Sequence, residues 1–175
     1  MTVGRFRLAR LDARHQLDRF DSGNDALDTW LKRHAPAAQQ MDTARTFLLL
    51  SVEDEVLGYF SLTMGSVLRQ DVPARLVRGL PSYPVGMVLL ARLAVDRRFQ
   101  RQGLGGLLLV EALRKAVAAG EAAAARLVVV DAIDESAARF YARQGFVAVP
   151  EHPLRLFRRM KDVRASIDLA ARPAK

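Results

Sequence analysis

Hydrophobic positions recur along this chain with two periods. Leu27, Trp30 and Leu31 repeat at helical spacing within Ser22 to Gln40, and Ser22 or Asn24 is placed to cap that helix. Pro36 predicts a bend or an end inside it. Gly103 to Ala119 reads as a long helix, with Leu109, Val110, Leu113, Ala116 and Val117 on one face and Glu111, Arg114 and Lys115 opposite. Phe6 to Leu11 alternates weakly, as a first strand. Thr46 to Val52 and Val56 to Met64 flank an acidic turn and read as a hairpin. Met87 to Val95 and Arg126 to Ala132 are almost continuously apolar, the pattern of strands covered on both faces. Between the hairpin and Met87 lies VLRQDVPARLVRGLPSYPVG, a connection broken by three prolines. Asp134 to Gln144 predicts a short helix ended by Gly145, followed by strands at Phe146 to Val149 and Leu154 to Met160. Ser166 to Lys175 reads as a frayed tail. A parallel pair joined by a helical crossover and flanked by antiparallel strands defines an α/β or α+β class, with one domain over residues 1–164 and a tail over 165–175.

Composition narrows the chemistry. A chain of 175 residues has room for one domain with a real core. It has no cysteine, which excludes disulfides and cysteine-ligated metals, and His15, His34 and His152 show no metal-ligand spacing. No metal is expected. The first residues lack a signal-peptide core and no run approaches a membrane span, so a cytoplasmic location without a membrane partner is the expectation. The net charge is +8, almost all of the positive charge from arginine. Such a balance suits nucleic acid, an acidic protein or a phosphate-rich cofactor, and is equally what a GC-rich genome produces by raising arginine and alanine.

The chemistry concentrates at QRQGLGG, residues 100–106, between an apolar strand and a leucine-rich helix. Glycine weakens a helix by about 1 kcal/mol against alanine, so three near a helix start need a reason. Free N–H groups and a positive dipole end bind anions there, and glycine lets a phosphate approach the backbone. A tight turn with close helix–strand packing would also use glycine. A P-loop needs Lys-Ser/Thr after the last glycine, where Leu107 stands, and a dinucleotide fingerprint fails at Leu108.

Gln100-x-x-Gly103-x-Gly105 instead resembles the signature of GNAT N-acetyltransferases, and DESAARFYARQGFVAV resembles their closing motif of helix, tyrosine, Gly-Phe and strand. The resemblance implies a GNAT fold, a mixed sheet with a splayed parallel pair and flanking helices. It implies acetyl-coenzyme A as cofactor. Arg101, Gln102, Gly103, Leu104, Gly105 and Gly106 would cradle its pyrophosphate after Gln100, and Leu93, Ala94 and Val95 would meet its pantetheine arm. Gly106 lies outside the signature, and close packing is the alternative role for it. Tyr141 aligns with the family tyrosine that protonates the departing thiolate. Asp134 stands where many relatives carry asparagine.

A lysine amine must lose a proton before attacking a thioester, and no glutamate lies on Met87 to Val95; Arg92 interrupts it. An α-amine beside an ester needs less help. FDSGNDALDTWLKRHA, ARTFLLLSVEDEVLGYFSLTMGSV and LARLAVD together resemble the GNAT toxins of bacterial toxin–antitoxin pairs, across roughly residues 5–162. That resemblance implies acetylation of the α-amine of aminoacyl-tRNA, which blocks translation. It implies neutralisation by a small ribbon-helix-helix antitoxin, contact with operator DNA only through the antitoxin complex, and often a homodimer. Arg78, Arg92, Arg98, Lys32 and Arg33 become candidates for tRNA phosphates. The rival readings are a GNAT enzyme for a small amine or a protein N-terminus, and a non-enzymatic nucleic-acid-binding module.

Overall fold

The computed structural model describes residues 6–171. The chain divides into two compact units, Met1–Thr63 with Ala91–Ala112 and Met64–Leu90 with Leu113–Lys175. The strand order is β1-β2-β3 in the first unit and β4-β5-β7-β6 in the second.

In the first unit, β1 (Arg7–Arg10) pairs antiparallel with β2 (Arg45–Leu50), and β2 pairs with residues 56–62 of β3 (Val56–Val67) in the predicted hairpin. Its core gathers Phe20, Leu31, Leu48, Leu50 and Tyr59. Tyr59 is fully buried and its hydroxyl donates to Leu27 O at 2.8 Å, a structural tyrosine whose polar end is satisfied. The N-terminal helix is not uniform. α1 (Asp25–Thr29) passes through a π-helical turn at Trp30–His34 into α2 (Ala35–Gln40). Pro36 has no N–H to donate, and the ladder widens before it, with Ala35 N reaching back to Trp30 O. The proline therefore neither ends nor sharply breaks the helical run. Asn24 is the cap, accepting from Leu27 N at 3.1 Å, while Ser22 bonds Asp28.

In the second unit, residues 85–90 of β4 (Val85–Val95) pair in parallel with β5 (Leu127–Asp131) through Met87↔Leu127 to Leu90↔Val130, and the strand continues to Val95 within the first. β7 (His152–Arg159) lies antiparallel to β5 and to β6 (Val147–Val149). The long helix α3 (Leu104–Ala123) and the short α4 (Glu135–Arg143) follow the expected order. Two expectations are corrected. Val110 is 39% exposed, and the buried stripe of α3 instead runs through Leu108, Leu109, Ala112, Leu113 and Ala116. Residues 166–170 are not a tail: α5 (Met160–Ala170) buries Met160 and Val163. A helix whose exposed end carries Asp168 and Leu169 offers little apolar periodicity to read. Residues 172–175 lie outside the described residues.

Candidate functional site

β4 ends in a tightly fastened loop. Gln100 Nε2 donates to Val95 O and to Ser22 O, both at 2.9 Å. Arg97 N donates to Asp21 O at 2.8 Å, and Asp21 N to Asp96 Oδ2 at 3.1 Å. The Asp21-Ser22 segment of the N-terminal signature is thus the clamp on the loop. Asp96 is fully buried and caps the short 3-10 turn Arg97–Phe99 by accepting from Arg98 N. Sequence reasoning passed over Asp96, because a lone aspartate before arginines reads as surface. Gln100 contributes by holding the loop in place, its amide already committed to backbone.

Beyond that anchor the backbone turns left-handed twice, with φ 59° at Arg101 and 81° at Gly103. Gly103 O accepts from Leu107 N, which opens α3 without a side-chain cap. A Cβ added to Gly105 or Gly106 would meet nothing within 4 Å. The protein's own packing therefore does not require glycine at either position, which corrects the packing role offered for Gly106. Space lies open over the first helical turn beside the exposed Arg101 and Gln102. These residues fit a pyrophosphate: bare backbone N–H groups, a helix dipole and a guanidinium. Leu104 is buried beneath them.

Leu93 and Val95 are half-buried and Ala94 is buried. Ala94 O sits 2.9 Å from where a Cβ on Gly58 would stand, so the glycine lets β3 approach the end of β4. The Arg92 guanidinium stacks 4.2 Å over the Trp30 ring, and Lys32 and Arg33 follow on the π-helical turn. Arg98 is committed elsewhere, paired with Asp96 and with Glu55 at 2.6 Å. Its assignment to tRNA phosphates is replaced by a role in the fold.

Tyr141 and Arg78 belong to the second unit. Tyr141 is the buried residue of α4, its ring edge-on to Phe140 and Phe146 at centroid distances of 5.1 and 5.9 Å. Burial pushes its phenol up to about 12, so it holds its proton at any physiological pH. Among the described residues its hydroxyl makes no hydrogen bond, in contrast to Tyr59. Asp134 caps α4, accepting from Ala137 N at 2.8 Å. The positive φ of Gly145 turns the chain so that Phe146 N reaches Tyr141 O at 3.2 Å. Arg78 is exposed.

A strand running into an uncapped glycine-rich helix start, then a parallel crossover and a helix carrying a buried, unbonded tyrosine, defines an acetyl-transfer enzyme. The chain belongs to the acetyltransferase (GNAT) family, whose model matches residues 11–146. It is 38% identical over 148 residues to a tRNA-acetylating toxin of Mycobacterium tuberculosis, covering 85% of this chain and 88% of that one. AtaT complexed with acetyl-methionyl-tRNAfMet is 30% identical with a TM-score of 0.84, covering 92% of this chain and 98% of the other. AtaTR bound with acetyl-coenzyme A is 30% identical with a TM-score of 0.79, covering 93% and 98%. A Tyr-to-Phe variant of AtaT bound to the C-terminus of its antitoxin AtaR is 28% identical with a TM-score of 0.80, covering 92% and 97%. Among the described residues no helix is long and apolar enough to cross a membrane, and no cluster of metal-ligating side chains occurs.

Proposed function

We propose that this protein is an acetyl-coenzyme A-dependent toxin that N-acetylates the α-amine of aminoacyl-tRNA and so blocks translation, as a single catalytic domain that takes in α5. What carries the reading is its 38% identity, over 85% of the chain, to a tRNA-acetylating toxin. Bound acetyl-coenzyme A supplies the acetyl thioester. Its pyrophosphate is held by the backbone of Gly103 to Gly106 with Arg101 and Gln102, and its pantetheine arm by the edge of β4 at Leu93 to Val95. Tyr141 Oη keeps its proton until it can donate it to the departing sulfur. The acceptor is an α-amine of pKa about 8, lowered further by the ester, so it is partly neutral without a dedicated base. Arg78, Arg92, Lys32 and Arg33 are left to meet tRNA phosphates.

The same reading assigns a cytoplasmic protein neutralised by a small ribbon-helix-helix antitoxin, with operator DNA bound through that complex, and a homodimer as its working state. Purified protein is incubated with acetyl-coenzyme A and charged tRNAs, and acetyl-aminoacyl-tRNA is sought by mass spectrometry. The modified ester is expected. Turnover of free amines or peptides without RNA, and no product with any charged tRNA, would overturn the assignment.

A further inference from the structure

Formal charge is divided unevenly between the units. The second carries fifteen Lys/Arg against eight Asp/Glu, and the first carries twelve against eleven. A polyanion is drawn to the second. There the proline-broken connection exposes Arg75 and Arg78, neither with a carboxylate partner among the described residues. It leads into a groove of about 490 Å³ lined by Leu80, Pro81, Tyr83, Pro84, Arg126 and Arg164. The groove lies where β4 and β5 begin, with Arg164 reaching it from α5.

Three features of the groove call for a ligand. The Tyr83 ring is 69% exposed, a large aromatic surface left in water. Arg164 Nε is buried without a hydrogen-bond partner, its only ion pair among the described residues being with Glu121 Oε1 at 3.4 Å. Arg126 reaches Leu76 O through Nε and Nη2 at 3.4 Å, which leaves the rest of its guanidinium unused. A flat ring sharing one groove with two guanidiniums matches a nucleobase and its phosphates, since bases stack on aromatic side chains whatever their sequence. An acidic peptide would satisfy the arginines and leave the ring without a partner of its own shape.

We propose that this groove is a nucleotide subsite for the RNA substrate. A base stacks on Tyr83, Arg126 and Arg164 take the flanking phosphates, and Arg78 and Arg75 continue the phosphate path. The inference rests on charged tRNA being the acceptor and gives part of that tRNA a place on the molecule.

The test measures binding of uncharged tRNA by fluorescence anisotropy, independently of turnover. Tyr83→Ala is expected to bind roughly tenfold more weakly, and Tyr83→Trp to keep its affinity. Arg164→Ala is expected to lower the slope of log affinity against log salt by about 0.7–0.9. With charged tRNA, Tyr83→Ala raises KM and leaves kcat and acetyl-coenzyme A affinity unchanged. Unchanged tRNA affinity in both Tyr83→Ala and Arg164→Ala overturns the subsite even if the wild type acetylates charged tRNA. Weaker antitoxin binding with unchanged tRNA binding assigns the groove to a peptide and overturns it equally. RNA binding that depends on Tyr83 in a protein that acetylates no charged tRNA keeps the subsite and sinks the acceptor assignment.

Discussion

Arg98 holds Asp96 by two parallel hydrogen bonds, Nε to Oδ1 and Nη2 to Oδ2, each 2.9 Å. Burial pushes the Asp96 carboxyl up, and the Arg98 guanidinium with the N–H groups of Arg98 and Asp21 outweighs this and holds it below the usual carboxylate range. A carboxylate with a depressed pKa stabilises the fold above its unfolded pKa, and that contribution is lost as pH falls through the folded value. The melting temperature is expected to stay level from neutrality to about pH 5 and to drop below about pH 4. Asp96→Ala strands two backbone donors and should cost about 2–4 kcal/mol in urea denaturation. A wild-type midpoint for that variant would show the pair to be dispensable.

Removing the Tyr141 hydroxyl breaks no hydrogen bond within the described residues. Tyr141→Phe should therefore melt with the wild type and bind acetyl-coenzyme A with wild-type affinity. Acetyl transfer should fall by about 10²-fold or more, the scale of a lost general acid. Since burial pushes the phenol up to about 12, the wild-type rate should rise through the acceptor amine's titration and show no basic decline up to about pH 10. A Tyr141→Phe enzyme that transfers acetyl at the wild-type rate would remove the acid role.

Gly105→Ala separates fold from cofactor. Its Cβ would enter open space, and alanine favours a helix by about 1 kcal/mol. The variant should be as stable as the wild type or slightly more so, while calorimetry shows weaker binding of acetyl-coenzyme A. Gly103→Ala should lose both, because φ at Gly103 is 81° and alanine there is strained. Equal acetyl-coenzyme A affinity in Gly105→Ala and wild type would move the pyrophosphate elsewhere.

Gly58 is tested from the opposite side. A Cβ there would stand 2.6 Å from Leu108 Cδ1 and 2.9 Å from the backbone at Ala94 O. Leucine can swing aside and a strand carbonyl cannot. Gly58→Ala is expected to destabilise by about 1–3 kcal/mol and to weaken acetyl-coenzyme A binding through the displaced end of β4. Unchanged urea midpoint and affinity would count against a fixed β3–β4 approach.

Two arginines that look alike in sequence should behave differently. Arg78→Ala is expected to raise the KM for charged tRNA at unchanged stability. Arg98→Ala should lower the melting temperature, because Arg98 serves Asp96 and Glu55. Thermal melts beside steady-state kinetics with charged tRNA distinguish them, and the reverse pattern would exchange their roles.

Much of the fold is legible because it depends on local rules. The apolar runs at β4 and β5 and the glycine that ends α4 each announce themselves within about ten residues. Elements went astray where distant contacts decide. Val110 satisfies helical periodicity as well as Leu108 does, and only the neighbours packed against α3 choose between them. The π-turn before Pro36 is a compromise between a missing donor and a core that keeps Leu31 buried, which pattern alone does not express.

The sequence by itself determined the order of elements, the pyrophosphate signature and the candidate acid, because spacing along one strand, loop and helix is a local property. The tertiary structure decided which of those residues are free to act. Gln100 and Arg98 are occupied with partners 78 and 43 residues away, at Ser22 O and Glu55. Tyr59 is bonded and Tyr141 is not, and Gly105 faces open space while Gly58 faces a carbonyl. Whether a polar group is satisfied, and whether a glycine is crowded, depends on which distant atoms folding brings within hydrogen-bonding or contact distance, and neither is written in the spacing of residues.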